Sequence, residues 1–155
     1  MDKTKQKIAF SFLIAIFLAA FEGVVVSTAA PVIVKSLHNF KMISWIFSIF
    51  LLTSAISTPI YGKLADLYGR KRIFMIGISI FLFGSLLAGL SQTMHQLIIF
   101  RGIQGIGAGA IFTIGFTMIG DIFTLEERSI IQGAISTIWG IAGLVGPLLG
   151  GFLID

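Results

Sequence analysis

The stretch GKLADLYGRKR, residues 62–72, decides how the chain is read. It is a polar break holding one acid, Asp66, four cations, Lys63, Arg70, Lys71 and Arg72, and glycines at Gly62 and Gly69. Apolar runs flank it, Ile43 to Tyr61 before and Ile73 to Leu90 after. At 1.5 Å per helical residue each run crosses roughly 30 Å of hydrocarbon. The break is therefore a connection between two membrane spans.

The same alternation continues in both directions. A first run covers about 8–34, behind Lys3, Lys5 and Lys7; a fourth covers about 97–119 and a fifth about 130–154. With the runs at 43–61 and 73–90, the chain has about five spans and no room for a soluble domain. Only helices and closed barrels satisfy the backbone in lipid, and these continuous runs lack the alternation of barrel strands. An all-α membrane protein is predicted, one domain over 1–155.

Composition agrees: 56% of residues are hydrophobic and 12% charged, far from the balance of a soluble domain. With no cysteine, disulfides and thiolate chemistry are excluded, and the isolated His38 and His95 do not make a metal site. No cofactor is expected. No serine and histidine pair plausibly within the spans, so the chain is not read as an enzyme. The net charge of +4 is divided among short connections and forms no continuous face for nucleic acid.

Those cations set orientation instead. The amino-terminal tail carries Lys3, Lys5 and Lys7, the second connection carries four, and the fourth carries Arg128; the opposite side has Lys35 and Lys41. The amino terminus is expected in the cytoplasm, in the plasma membrane (the inner membrane of a bacterium), with Asp155 outside. The basic start also resembles a signal peptide, with Ser27 to Ala30 as a cleavage region. The length of the run, its internal acid and the spans that follow argue against cleavage.

Function is sought at the residues a membrane should reject. Glu22 lies near the middle of the first run, where a carboxylate costs about 2.5–3.5 kcal/mol on insertion scales. It needs a partner, a proton or an aqueous cavity, and a reversible proton site meets that need; the alternative is a protonated acid in a structural hydrogen bond. Arg101 cannot practically lose its charge, so it faces a cavity or an acid, or snorkels to the outer surface. Gln104 follows one turn later, and Gly105 and Gly109 form a GxxxG pair suited to close helix packing.

In the second connection, Gly62 and Gly69 are expected to build a tight turn. Asp66 and Arg70, four apart, can pair if it is locally helical. Asp121 closes the fourth span, where the helix dipole disfavours an acid and a cation such as Arg70 is expected beside it. In the fifth span Gly140, Gly143, Gly146, Pro147 and Gly150 read either as dense packing or as a hinge.

Four segments in order resemble the signatures of drug:proton antiporters of the major facilitator superfamily. Gly62 to Phe74 resembles the loop motif GxLaDrxGrkxxl, matching at Gly62, Leu64, Ala65, Asp66, Gly69, Arg70 and Lys71. RGIQGIGAGA, from Arg101, resembles the helix-four motif, and WGIAGLVGPLLGG, ending at Gly151, the helix-five antiporter motif. EGVVVSTAAP, Glu22 to Pro31, resembles the helix-one pattern of the fourteen-span, QacA-like branch, with Val24 and Ser27 departing from its threonine and asparagine.

The resemblance implies a major facilitator fold and proton-coupled multidrug efflux, an activity that confers antibiotic resistance. Glu22, Arg101 and Gln104 would handle protons or substrate. Asp66, Arg70, Lys71 and Asp121 would form a cytoplasmic charge relay, and Gly143, Gly146, Pro147 and Gly150 the antiporter hinge. The implied partners are the lipid bilayer, protons and hydrophobic cationic small molecules. A facilitator has two six-helix halves, so about five spans are a truncated first half, expected to be inactive without the remaining helices. The alternatives are a carrier for another small metabolite and a non-transporting remnant.

Overall fold

The computed structural model describes the backbone of residues 2–37 and 40–154 and the side chains of those up to 148. His38 and Asp155 lie outside the described residues, as do the surroundings of Gly150. Five helices follow in order: α1 (Lys3–Leu37), α2 (Ile43–Tyr68), α3 (Arg70–Gly89), α4 (Met94–Ile122) and α5 (Leu125–Ile154), with a 3₁₀ turn at Phe40–Met42 before α2. All five are long and apolar enough to cross a membrane.

The helices outrun the apolar runs because helical backbone continues where the side chains become polar. α1 begins among the lysines, and α2 carries on through Gly62, Lys63 and Asp66 to Tyr68. The expected two-glycine turn is therefore one residue. Gly62 lies inside α2, where an added Cβ would meet only Thr113 Cγ2, at 4.0 Å. Gly69 makes the turn at φ +90°, a conformation that strains any residue with a Cβ, while its N–H donates to Ala65 O at 3.0 Å.

Several hydroxyls within the spans donate to carbonyls of their own helices, which suits an apolar solvent. Thr28 donates to Val24 O at 2.9 Å, Ser79 to Met75 O at 2.9 Å and Thr137 to Gly133 O at 2.9 Å. Pro31 lies within α1, which runs through it to Leu37.

The chain forms two compact units, Met1–Ile33 with Thr117–Asp155, and Val34–Phe116. In the second unit α4 is the central strut, packed through glycines on two sides. Toward α2, a Cβ added at Gly102 would lie 3.3 Å from Ile49 Cγ1, one at Gly105 3.0 Å from Phe50 Cα, and one at Gly109 2.7 Å from Ser54 O. Toward α3, a Cβ at Gly107 would lie 2.7 Å from Phe81 Cα, and one at Gly84 2.7 Å from Gln104 Cα. Ser57 adds an interhelical hydrogen bond to Ile106 O at 3.3 Å. The expected close packing at Gly105 and Gly109 is thus directed at α2.

In the first unit α1 buries Ala9, Phe12, Ile16, Ala19 and Ala20, a stripe at helical spacing. α5 buries Ile131, Ile135, Ala142 and Gly146. A Cβ at Gly146 would come within 2.9 Å of Val24 Cβ, so α1 and α5 touch two residues beyond Glu22.

Candidate functional site

Arg101 sits about two turns into α4 and is only 3% exposed, so its guanidinium turns inward instead of snorkelling. Nη1 donates to Gln104 Oε1 at 2.7 Å, joining two residues the spacing had placed on one face. Across the seam the Phe50 ring of α2 lies beneath the guanidinium, with Cζ 4.3 Å from the ring centroid. Gln104 is fully buried. A permanent cation is thus held among helices by an amide oxygen and an aromatic face.

In the first unit, Glu22 is half-buried on α1, just past the stacked rings of Phe17 and Phe21, whose centroids are 5.8 Å apart. Val24, which departs from the motif's threonine, packs its branched side chain against Gly146. Of the expected hinge residues, Gly146 is a packing position, whereas an added Cβ at Gly143 would meet nothing within 4 Å and Pro147 is exposed. α5 remains a continuous helix through Pro147.

The residues of the expected relay lie at the polar ends of the helices. Asp66 is exposed on the last turn of α2 and Arg70 opens α3, so the break at Gly69 ends the four-residue helical register between them. Lys71 is exposed in the first turn of α3. Asp121 is exposed in the last turn of α4. Arg128 also caps this carboxyl end of α4: its Nε donates to Phe123 O at 2.9 Å and its Nη2 donates to Gly120 O.

Two features here were not anticipated. Thr124 and Glu127 form a capping box at the start of α5: Thr124 N donates to Glu127 Oε2 at 3.1 Å, and Glu127 N to Thr124 Oγ1 at 3.3 Å. The same carboxylate pairs with Lys5 Nζ at 2.9 Å, and Lys5 also stands 5.7 Å from the Phe123 ring centroid. The Thr-x-x-Glu spacing is a readable signal for the box. Nothing local announces a pair 122 residues apart. Together these contacts place the basic start of α1 beside the α4–α5 connection, as expected if both lie on one side of the membrane.

Residues 12–155 match the family model described as Major Facilitator Superfamily. The chain belongs to that superfamily. Among curated relatives of this facilitator segment, "Multidrug resistance protein 3" of Bacillus subtilis (strain 168) is 42% identical over 161 aligned residues, covering 100% of the chain and 31% of the relative. "Multidrug transporter protein MdtP" of the same organism is 43% identical, covering 92% and 26% respectively. "Efflux pump dotC" of Dothistroma septosporum (strain NZE10 / CBS 128990) is 40% identical, covering 89% and 24%. The chain thus spans about a quarter to a third of the length of these relatives. It is a multi-pass membrane segment of a transporter family.

Proposed function

We propose that this facilitator segment forms part of a proton-coupled multidrug antiporter of the plasma membrane, of the QacA-like branch, with its amino terminus in the cytoplasm. Hydrophobic cations would be exported against entering protons. The carrying observation is Arg101, a permanent charge 3% exposed in the interior of a spanning helix. Such a group is costly in a membrane and is retained where ions or charged cargo are handled.

In this reading Glu22 is the titrating acid. When its surroundings dry it favours the protonated form, and when they hydrate it releases the proton, so one carboxyl alternately holds a proton or attracts a cation. Arg101, oriented by Gln104, takes part in coupling proton movement to transport. Asp66, Arg70, Lys71 and Asp121 act as a cytoplasmic relay whose charges rearrange as access alternates. Gly143, Gly146, Pro147 and Gly150 let α5 bend during that change, with the unfilled side of Gly143 leaving room for movement. The relatives' names, two of them with "multidrug" and one with "efflux pump", support drugs as the cargo class.

The test is a chimera in which these 155 residues replace the matching segment of the Bacillus subtilis Multidrug resistance protein 3. Everted vesicles carrying it should accumulate ethidium when a proton gradient is imposed and stop when a protonophore collapses the gradient. Accumulation that persists without a gradient, or an inserted chimera that moves no cation, refutes proton-coupled export.

A further inference from the structure

We propose that Val24 is a positioning residue that carries movement of α5 to Glu22, through a helix pair fastened at both ends. This rests on the reading of Glu22 as the exchanging acid and of α5 as the helix that bends, and it joins the two.

Two contacts define the pair. At one end Lys5 Nζ lies 2.9 Å from Glu127 Oε2. At the other, Val24 fills the space that Gly146 leaves, since a Cβ added there would stand 2.9 Å from Val24 Cβ and would strike Val24 Cγ1. Nineteen residues separate Lys5 from Val24, and nineteen separate Glu127 from Gly146. Both stretches are continuous helix. α1 and α5 therefore run parallel and in step between the contacts, over roughly 28 Å at 1.5 Å per residue, close to the thickness of the hydrocarbon. Helices fastened at both ends over equal lengths do not slide past one another, so a displacement of α5 at Gly146 displaces α1 at Val24.

The far contact suits transmission. Valine is β-branched and holds one strongly preferred χ1 in a helix, so a push on its methyl groups reaches the backbone without being absorbed by rotation. Thr28 donates to Val24 O at 2.9 Å and braces the turn that bears the side chain. On the other helix Gly146 stands next to Pro147, which withholds a backbone donor from the preceding turn, and a Cβ added at Gly143 would meet nothing within 4 Å. The compliant point of α5 is thus the point that Val24 touches. At 3.6 residues per turn, Val24 and Glu22 stand about 200° apart around α1. Val24 rests on α5 while Glu22 is carried on the opposite side of the helix, so a push from behind re-aims the carboxyl.

The experiment is a two-site cycle in the chimera: Val24→Ala, Gly146→Ala and the two together, with Val24→Thr as the variant of equal shape. Ethidium transport is measured in everted vesicles, and ethidium binding and thermal unfolding on the purified proteins. Val24→Ala opens the contact and is expected to lower kcat about tenfold while KM and the Kd for ethidium stay within about twofold. Gly146→Ala drives the helices apart and should be slower still. In the double variant the methyl at 146 takes the space vacated at 24, and kcat should return to within about threefold of the parent. Val24→Thr should stay within about twofold, because it keeps the branched shape. A contact that only stabilised the fold would lower the unfolding midpoint of Val24→Ala and leave the turnover of the folded protein unchanged. Parental kcat in Val24→Ala, or a double variant no faster than Val24→Ala, overturns the proposal. If Gly146→Ala does not fold, Val24→Ala against Val24→Thr still decides. A parent chimera without gradient-driven transport refutes the antiporter reading and this inference together, whereas coupled transport that Val24→Ala leaves untouched refutes the role of Val24 alone.

Discussion

The glycines at 102–109 of α4 and those at 133–143 of α5 look alike in sequence and do opposite things in the structure. Over an 18-residue apolar stretch of α4 61% of the residues are buried, against 22% for such a stretch of α5. Adding a Cβ at Gly102, Gly105, Gly107 or Gly109 meets a neighbouring helix, whereas at Gly133, Gly140 and Gly143 it meets nothing within 4 Å. Only Gly146, among the glycines of α5 whose surroundings are described, is packed. A glycine-rich span can therefore be a rigid strut or a bare face, and the distinction lies in the partner helix. The two helix entries also differ, since the turn into α3 is made at Gly69 with positive φ while the entry to α5 is capped and ion-paired.

The comparison can be broken by substitution. The largest effect is expected at Gly107→Val, whose side chain would drive into the Phe81 backbone and separate α3 from α4. A loss of ~3 kcal/mol or a failure to fold is expected, read by thermal unfolding in detergent. Thr124→Ala, which removes half of the capping box, should cost about 1 kcal/mol, seen as a lower midpoint in the same assay. Lys5→Gln should cost less, within about 0–1 kcal/mol, because the side chains of the pair are 29% and 20% exposed. Its effect should shrink in high salt. Gly143→Ala should be neutral or stabilising by up to about 1 kcal/mol, since alanine is the better helix former and has room. If that stable variant loses ethidium transport in the chimera, the bare face serves movement; unchanged transport would make it ordinary membrane-facing surface.

Much of the fold was legible because hydropathy and helical length are local properties. Five spans follow from apolar runs, and the match of residues 12–155 to the facilitator model agrees with the motif resemblance. Helix ends were less legible, because the polar turns from Gly62 to Tyr68 and from Lys3 to Lys7 look like connections yet remain helical. The inward course of Arg101 followed from the cost of its charge, and Gln104 from its spacing. Phe50 gave no signal, since one aromatic among many apolar residues in α2 acquires meaning only when α4 is laid against it. The same holds for Val24, a motif departure whose packing against Gly146 appears only with the helices assembled.

The most direct measurement is proton release on cation binding. The purified chimera in weakly buffered detergent, with a pH-sensitive dye, should release protons when ethidium is added, and Glu22→Gln should release none while Glu22→Asp retains part of the signal. Proton release from Glu22→Gln equal to that of the parent would contradict the account, because a glutamine at that position has no proton to exchange for the incoming charge.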